Sequence, residues 1–210
     1  MSPKLGFAVV FSIALALTAR PVDADPWNGA DKWGVGFHLT GMGLSPADTE
    51  TDTEDELGLG GAGLQVRYRL NRRWELEAEL DQVKGELEDG GLSRDYKSMT
   101  LAGMFHINPQ SQWTWSVVAG LGGGSDDVRF AQMTDGKPTS SSATFSHAHL
   151  HLGVALERRF KHIGVAAQLR AIAMARNEDE ADGPAFAGSD EPTPREESGA
   201  RFNLVVTYYF

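Results

Sequence analysis

Residues 65–80 read QVRYRLNRRWELEAEL, two alternating runs on either side of a central NRR triplet. In the first run apolar residues alternate with arginines, and in the second they alternate with glutamates. Because successive side chains of a β-strand point to opposite faces, the stretch predicts a hairpin with one apolar face and one charged face. A soluble sandwich has no need for a charged row as long as its apolar row. The predicted charged face holds Arg67, Arg69, Glu75, Glu77 and Glu79.

The same period of two recurs along the rest of the chain and predicts eight strands. Turn-forming residues separate the alternating segments, as expected for antiparallel strands joined by hairpins. Eight alternating segments in consistent order indicate an all-β chain. The predicted strands are Trp33–Gly43, Gly60–Leu70, Trp74–Gln82, Lys97–Ile107, Trp113–Gly122, Phe145–Glu157, Ile163–Arg176 and Ala200–Phe210.

Connection lengths alternate between short and long. This alternation is typical of an up-and-down membrane barrel, with short turns on the periplasmic side and long loops outside. After residue 24 no apolar run is long enough for a helical span, so a membrane-spanning chain would have to form a closed barrel. The fold class is therefore an eight-stranded antiparallel up-and-down transmembrane β-barrel. The predicted short connections are 71–73, 108–112 and 158–162, and the predicted long ones are 44–59, 83–96, 123–144 and 177–199.

The N-terminus predicts a secretory signal peptide. Lys4 precedes an apolar run from Leu5 to Ala19, and small residues at Val22 and Ala24 precede Asp25. A charged start, a short apolar segment and a small-residue cleavage site are the parts of an export signal. We therefore assign 1–24 to the signal peptide and 25–210 to the barrel domain.

Composition excludes several classes of protein. The formal net charge is −10, and no Lys/Arg stripe supplies the surface that nucleic acid requires. The chain has no cysteine, which rules out disulfides and thiolate metal sites. The predicted long loops are acidic, from Asp48 to Glu56 and from Glu178 to Glu197, and we interpret them as solvated surface.

The last strand, Phe202–Phe210, has a terminal Phe and apolar residues at every second position upstream. It resembles the C-terminal signature of bacterial outer-membrane proteins, and the whole mature chain resembles the small OmpA/OmpX-like eight-stranded barrel superfamily. This resemblance implies an outer-membrane location, contact with lipid and lipopolysaccharide, and recognition by the barrel-assembly machinery. No peptidoglycan-binding segment follows, so we do not expect cell-wall tethering. The assembly signal would comprise Phe202, Leu204, Val206, Tyr208 and Phe210.

Aromatic residues cluster beside the predicted short turns. Amphipathic rings prefer the membrane–water interface, so this placement predicts a periplasmic girdle. Ordinary strand aromatics are the alternative interpretation. The candidate girdle residues are Tyr68, Trp74, Trp113, Tyr208 and Phe210.

The charged row would face the lumen, where an eight-stranded barrel has room for little more than side chains. An unpaired charge there is costly, so we expect a paired structural network. The expected network comprises Arg67, Arg69, Glu75, Glu77, Glu79, Arg170 and Arg201.

The sequence leaves three interpretations of the function. The first is a non-enzymatic monomeric barrel that supports envelope integrity or presents acidic loops. The others are a narrow pore for ions or small solutes and a lipid A-modifying enzyme.

Histidines form the most unusual motif, because a His-x-His-x-His run places three imidazoles on one strand face. A hydrogen-bonded lumen network is the favoured interpretation, with metal binding or pH sensitivity as alternatives. The inward histidines are His38, His106, His147, His149 and His151.

We expect no cofactor. No Ser/His/acid spacing indicates a nucleophile and base, so we predict that the protein is not an enzyme.

Overall fold

The computed structural model describes residues 31–46, 57–86, 92–134, 137–176 and 196–210. Within these residues the chain forms eight antiparallel strands in a closed barrel, each paired with the next and the last paired with the first. The predicted fold class is confirmed. The strands are β1 Trp33–Pro46, β2 Leu57–Arg69, β3 Trp74–Glu86, β4 Leu92–His106, β5 Trp113–Thr134, β6 Lys137–Phe160, β7 Ile163–Arg176 and β8 Glu196–Tyr209.

The prediction of a long loop at 123–144 is wrong. Strands β5 and β6 pair without a break from Trp113↔Arg158 to Thr134↔Lys137. They are the longest strands in the described parts of the chain, with 22 and 24 residues. Beyond the apolar belt the outward positions of this hairpin are no longer apolar, for example Asp127 and Thr144. The alternation of apolar and polar residues that predicts a strand therefore stops before these strands end.

The third short connection is also shorter than predicted. β6 continues through Arg158 to Phe160, and the turn consists of Lys161 and His162. Lys161 has φ of 48°, in the left-handed region that tight hairpin turns require. Other strands begin or end a few residues from the predicted bounds, while β7 matches them. The proposed signal peptide, 1–24, and the acidic clusters at 48–56 and 178–191 lie outside the described residues.

The barrel wall has an apolar outer face and a polar inner face. Outward side chains on every strand include exposed large hydrophobics such as Leu80, Leu121 and Leu152. Along β4 and the residue that follows it, this belt runs from Ile107 to Met99, about 27 Å at about 3.4 Å per residue. At a strand tilt of about 40°, this corresponds to about 20 Å of height, close to the apolar band of a membrane barrel. Such a surface is stable in lipid and unstable in water.

Polar outward residues mark one edge of the belt. Beyond Leu80 and Met99, the outward positions hold Gln82, Lys84 and Lys97. Lys84 Nζ lies 3.0 Å from Asp95 Oδ2 on the neighbouring strand, so the polar groups above the belt pair with one another. The turns at the opposite edge are short, and these are the periplasmic turns in barrels of this topology. In the described part of the chain no helix is long and apolar enough to cross a membrane.

Candidate functional site: the lumen

The lumen contains a ladder of buried ion pairs that joins neighbouring strands. Arg67 Nε donates to Glu77 Oε2 at 2.7 Å across the β2–β3 hairpin. Its Nη1 also donates across the lumen to Glu157 Oε2 of β6 at 2.7 Å. Arg69 Nη2 donates to Glu75 Oε2 at 2.9 Å. The register places Arg67 opposite Glu77 and Arg69 opposite Glu75, so the alternation seen in the sequence produces these pairs directly.

Two arginines from the other side of the barrel complete the ladder. Arg170 Nη2 donates to Glu77 Oε1 at 2.7 Å, and its Nη1 donates to Glu79 Oε2 at 2.8 Å. Arg201 Nη2 donates to Asp81 Oδ1 at 2.6 Å. β7 and β8 are thus bonded to β3 across the interior. The structure places all seven residues of the expected network in the lumen and in one connected set.

Several further partners in this set were not among the seven predicted residues. Asp81 and Glu157 already stood in inward positions of the alternating pattern, so they could have been included. Arg159 belonged to a predicted turn, yet its Nη2 donates to Glu157 Oε1 at 2.6 Å. Tyr209 Oη lies 3.1 Å from Glu157 Oε2. The backbone register, which a single sequence does not give, decides which of these groups meet.

A second ion cluster lies at the opposite end of the lumen from the short turns. Arg94 Nε donates to Asp126 Oδ2 at 2.6 Å, and its Nη2 donates to Glu197 Oε2 at 2.8 Å. Arg176 Nη2 donates to the same Asp126 oxygen at 2.9 Å. These four residues come from β4, β5, β7 and β8. The cluster was not predicted, because Arg94, Asp126 and Glu197 lie in segments whose sequence predicts loops.

An apolar layer fills the lumen beside this ion cluster. Every strand from β1 to β7 contributes at least one buried side chain to it. Arg176 connects the two sets, since its guanidinium lies 5.2 Å from the centre of the Phe145 ring. The layer lies at the edge of the lipid-facing belt that is opposite the short turns, since it contains Val83 and Tyr96, the inward neighbours of Gln82 and Lys97. It was not predicted from the sequence. Its members are Met42, Leu44, Leu59, Val83, Tyr96, Val128, Phe145, Ile172 and Met174.

Four of the five inward histidines lie opposite glycines, and His106 lies opposite Ser116. In the β5–β6 register His147, His149 and His151 are paired with Gly124, Gly122 and Gly120. His38 is paired with Gly63 in the same way. A Cβ atom on Gly120 or Gly122 would lie 2.5 Å from the Nε2 of the facing histidine. The Gly-x-Gly-x-Gly run in β5 therefore provides the space that the His-x-His-x-His run in β6 fills.

Hydrogen bonds position His149 and His38, and ring stacking positions His147. His149 Nε2 lies 2.9 Å from Thr100 Oγ1, and the Tyr96 hydroxyl lies 3.3 Å from its Nδ1. The Tyr96 ring stacks on His147 with 4.5 Å between centroids. His38 Nε2 lies 2.5 Å from Asp81 Oδ1. Among the residues that the structure describes, no group of three or more His, Asp or Glu side chains has the geometry to hold a metal ion.

One arrangement contains the parts of a hydrolytic triad. Ser116 Oγ lies 2.7 Å from His106 Nδ1, and His106 Nε2 lies 3.7 Å from Glu75 Oε2. A triad needs a nucleophile within reach of a substrate carbonyl, but these three side chains are almost completely buried in the barrel wall. Glu75 is also bonded to Arg69. The geometry therefore suits a buried structural cluster better than catalysis.

The residues of the expected assembly signal share the outer face of β8. Phe202, Val206, Tyr208 and Phe210 are exposed toward the lipid side, while the alternate positions point inward. Aromatic rings also gather at the edge with the short turns: Trp33 lies 4.6 Å from Tyr68, and Trp74 lies 5.1 Å from Phe105, measured between ring centroids. This is where a membrane girdle is expected.

The closed eight-strand topology, the apolar outer belt and the polar lumen together define the fold of the small eight-stranded outer-membrane β-barrels. No protein-family model and no curated protein matches the sequence. Solved structures do match. Ail, the attachment invasion locus protein of Yersinia pestis, matches 86% of this chain and 99% of its own, with 16% identity and a TM-score of 0.51.

Two further structures agree. Neisserial surface protein A matches 85% of this chain and 97% of its own, with 13% identity and a TM-score of 0.53. A major outer membrane protein from Thermus thermophilus matches 84% of this chain and 99% of its own, with 11% identity and a TM-score of 0.50. At these identities the likeness establishes a shared fold, and the resemblance inferred from the sequence is confirmed at that level.

Proposed function

We propose that this protein is a closed, non-enzymatic barrel of a bacterial outer membrane that supports the envelope and presents a surface ribbon with acidic loops. The filled lumen is the observation that carries this proposal. Ion pairs from β2, β3, β6, β7 and β8 cross the interior at one level, and apolar side chains from seven strands occupy another. A barrel whose strands are joined by ion pairs through the lumen suits a structural role better than a channel.

A narrow pore is the second candidate, and the polar lining of the lumen favours it. An ion would still have to displace Arg–Glu pairs that are almost free of solvent and then cross the apolar layer. Removing an ion from water into such a layer is costly. Single-channel recording in planar bilayers, with a porin as positive control, separates the candidates. We expect no discrete conductance steps; regular steps would support the pore.

A lipid A-modifying enzyme is the third interpretation. Such an enzyme needs its nucleophile on the lipid-facing surface, whereas Ser116 and His106 face the lumen. Mass spectrometry of lipid A from cells that overproduce the protein tests this directly. We expect unchanged acyl chains and phosphates; a shift in lipid A mass that requires Ser116 would contradict the non-enzymatic assignment.

The β5–β6 hairpin supports a role in surface presentation. From Leu121, near the end of the apolar belt, to Thr134 the strand covers about 44 Å at about 3.4 Å per residue. At the same tilt of about 40° this is about 34 Å of height, which places the end of the strand well beyond the membrane. A peptide tag inserted between Asp135 and Gly136 should bind antibody on intact cells. The same tag inserted after Asn108, in a short turn, should bind antibody only after the cells are permeabilised. Equal labelling of both tags on intact cells would contradict the orientation.

Export and assembly complete the proposal. The signal peptide at 1–24 would direct the chain to the periplasm, and the outward row of β8 would be read by the barrel-assembly machinery. Replacing Phe210 with Ala removes the terminal ring, so we expect less folded protein in outer-membrane fractions. Folded protein is recognised by its altered mobility on unboiled gels. Undiminished folded protein would show that the terminal ring is not part of the signal.

A further inference from the structure

We propose that a cleft between the first two short turns binds the phosphate headgroup of an anionic phospholipid in the inner leaflet. The inference rests on the proposed membrane orientation. The cleft has a volume of about 520 Å³ and an arginine pair on one wall. The facing wall is the second turn. Its lining residues are Arg72, Arg73, Ile107, Asn108, Pro109, Gln110 and Ser111.

Hydrogen bonds from two asparagines shape the turns that form the cleft. Asn71 Oδ1 accepts from the backbone N–H groups of Arg73 and Trp74 at 2.8 and 3.0 Å. In the second turn Asn108 Oδ1 accepts from the N–H of Trp115 at 2.7 Å, and its Nδ2 donates to the carbonyl of Trp113 at 2.7 Å. The Asn71 side-chain oxygen and the whole Asn108 amide thus bind the backbone. The arginine guanidinium groups are the cationic groups that line the cleft.

The cleft joins the lipid-facing surface directly. Ile107 lines it and is exposed at the lower edge of the apolar belt. The guanidinium of Arg73 lies 5.9 Å from the centre of the outward Phe105 ring, which also contacts Trp74. An arginine can hold its apolar stem along such a surface while its charge stays in the headgroup region. Phosphate would meet the arginines while the acyl chains run over Ile107 and the two rings.

The charge of this rim favours an anion although the whole chain is acidic. Lys32 and Lys161 are also exposed at the same edge of the barrel. The nearby Asp31 already contacts His162 Nδ1 at 3.0 Å. Guanidinium groups match the geometry of phosphate oxygens and bind them through paired N–H donors. A sugar–peptide polymer of the cell wall could offer carboxylates, but it would gain nothing from the apolar floor of the cleft.

The test compares two double variants that each remove two positive charges. In R72Q/R73Q the charges leave the proposed cleft, and in K84Q/K97Q they leave the opposite edge of the belt. The full protein, purified from membranes, is placed in nanodiscs of phosphatidylcholine and phosphatidylglycerol, and native mass spectrometry measures the retained lipids. A charge near a membrane surface is worth about 1 kcal/mol, or about fivefold. We expect the retained phosphatidylglycerol-to-phosphatidylcholine ratio to fall about fivefold per arginine. It should fall clearly less in K84Q/K97Q, because Lys84 and Lys97 are already paired with Asp95 and Asp127.

Three results would overturn the inference. One is an unchanged lipid ratio in R72Q/R73Q, and another is an equal fall in K84Q/K97Q. The third is loss of binding to isolated cell-wall sacculi in R72Q/R73Q while its lipid preference persists. Mobility on unboiled gels shows that each variant is folded. A wild-type protein that does not enter nanodiscs would refute the membrane barrel itself, which is a different failure from insertion without an anionic preference.

Discussion

Leu169 and Arg170 are consecutive residues of β7 that meet opposite environments. The leucine points outward and is 54% exposed, whereas the arginine points into the lumen and is 1% exposed. In a soluble barrel their places would be exchanged. The contrast shows that alternation alone specifies two faces, and that the chemistry of each face then specifies the medium around it. Here the outer medium is hydrocarbon, and the inner medium is a set of fixed ionic partners.

The two faces differ in how strongly each side chain depends on its neighbours. An outward leucine contacts lipid, so any apolar residue of similar size could replace it. Arg170 needs two particular carboxylates, at 2.7 Å from Glu77 and 2.8 Å from Glu79. An inward substitution therefore disturbs several residues, while an outward one disturbs its own contact with lipid.

The largest effect is expected for Arg170→Leu, which imitates the outward neighbour on the inward face. It leaves Glu77 and Glu79 in the lumen without their shared cation. Removing one partner of a buried ion pair costs about 3–5 kcal/mol. Urea unfolding in lipid vesicles should show a loss of this size in the free energy of unfolding. Arg170→Lys should lose less, since an ammonium keeps the charge but lacks the planar fork. A loss below about 1 kcal/mol for Arg170→Leu would mean that the stability of the barrel does not depend on the ion pairs of Arg170.

Leu169→Arg makes the reverse change on the outer face. A lipid-facing arginine costs about 2–4 kcal/mol near the bilayer midplane and about 0–1 kcal/mol near the interface. Leu169 lies in the middle of the outward row of β7, and Gln82 lies at the edge of the belt. The same unfolding experiment should therefore show a loss of about 2–4 kcal/mol for Leu169→Arg and less than about 1 kcal/mol for Gln82→Arg. Equal losses would contradict the position assigned to the belt.

A smaller difference is expected between two glycines. A Cβ added at Gly120 would lie 2.5 Å from His151 Nε2 and 2.6 Å from the backbone oxygen of Leu101. At the outward Gly41, a Cβ would meet no atom within 4 Å. Overpacking costs about 1–3 kcal/mol, so Gly120→Ala should destabilise the barrel by that amount in urea. Gly41→Ala should change it by less than about 0.5 kcal/mol. Similar losses of free energy of unfolding for the two variants would show that His151 and its neighbours can move to make room for the added methyl group.

The sequence was sufficient to predict the outward face and much of the inward one. Alternation placed Arg67, Glu77 and Arg170 on the lumen side, because a period of two needs no knowledge of neighbours. Which groups meet across the lumen could not be predicted, because contacts such as Arg67–Glu157 depend on how eight strands are offset around the barrel. Arg94 and Asp126 were missed for another reason. They lie in strand extensions where the outer face is no longer apolar, so the pattern that identifies strands stops before the strands do.

The smallest effect is expected above the belt, where both faces become polar. Asp127 lies beyond Leu121 on β5, and its carboxylate accepts from Thr144 Oγ1 at 2.7 Å and from Lys97 Nζ at 3.3 Å. The Thr144 hydrogen bond, followed by the Lys97 contact, holds the pKa of Asp127 below its ordinary value. A carboxylate with a lowered pKa in the folded state stabilises the fold above the unfolded pKa of about 3.9, and this contribution disappears as pH falls through the lowered value.

Asp127→Asn should therefore reduce the free energy of unfolding at pH 7 by less than about 1 kcal/mol, as expected for an exposed ion pair. The difference between wild type and variant should shrink when the urea experiment is repeated at pH 3. Thr144→Ala is the matched control, because it removes the hydroxyl donor and leaves the charges in place. A loss as large as that of Arg170→Leu would mean that the upper part of the β5–β6 hairpin is as tightly coupled as the lumen. The contrast between inside and outside would then not extend beyond the membrane.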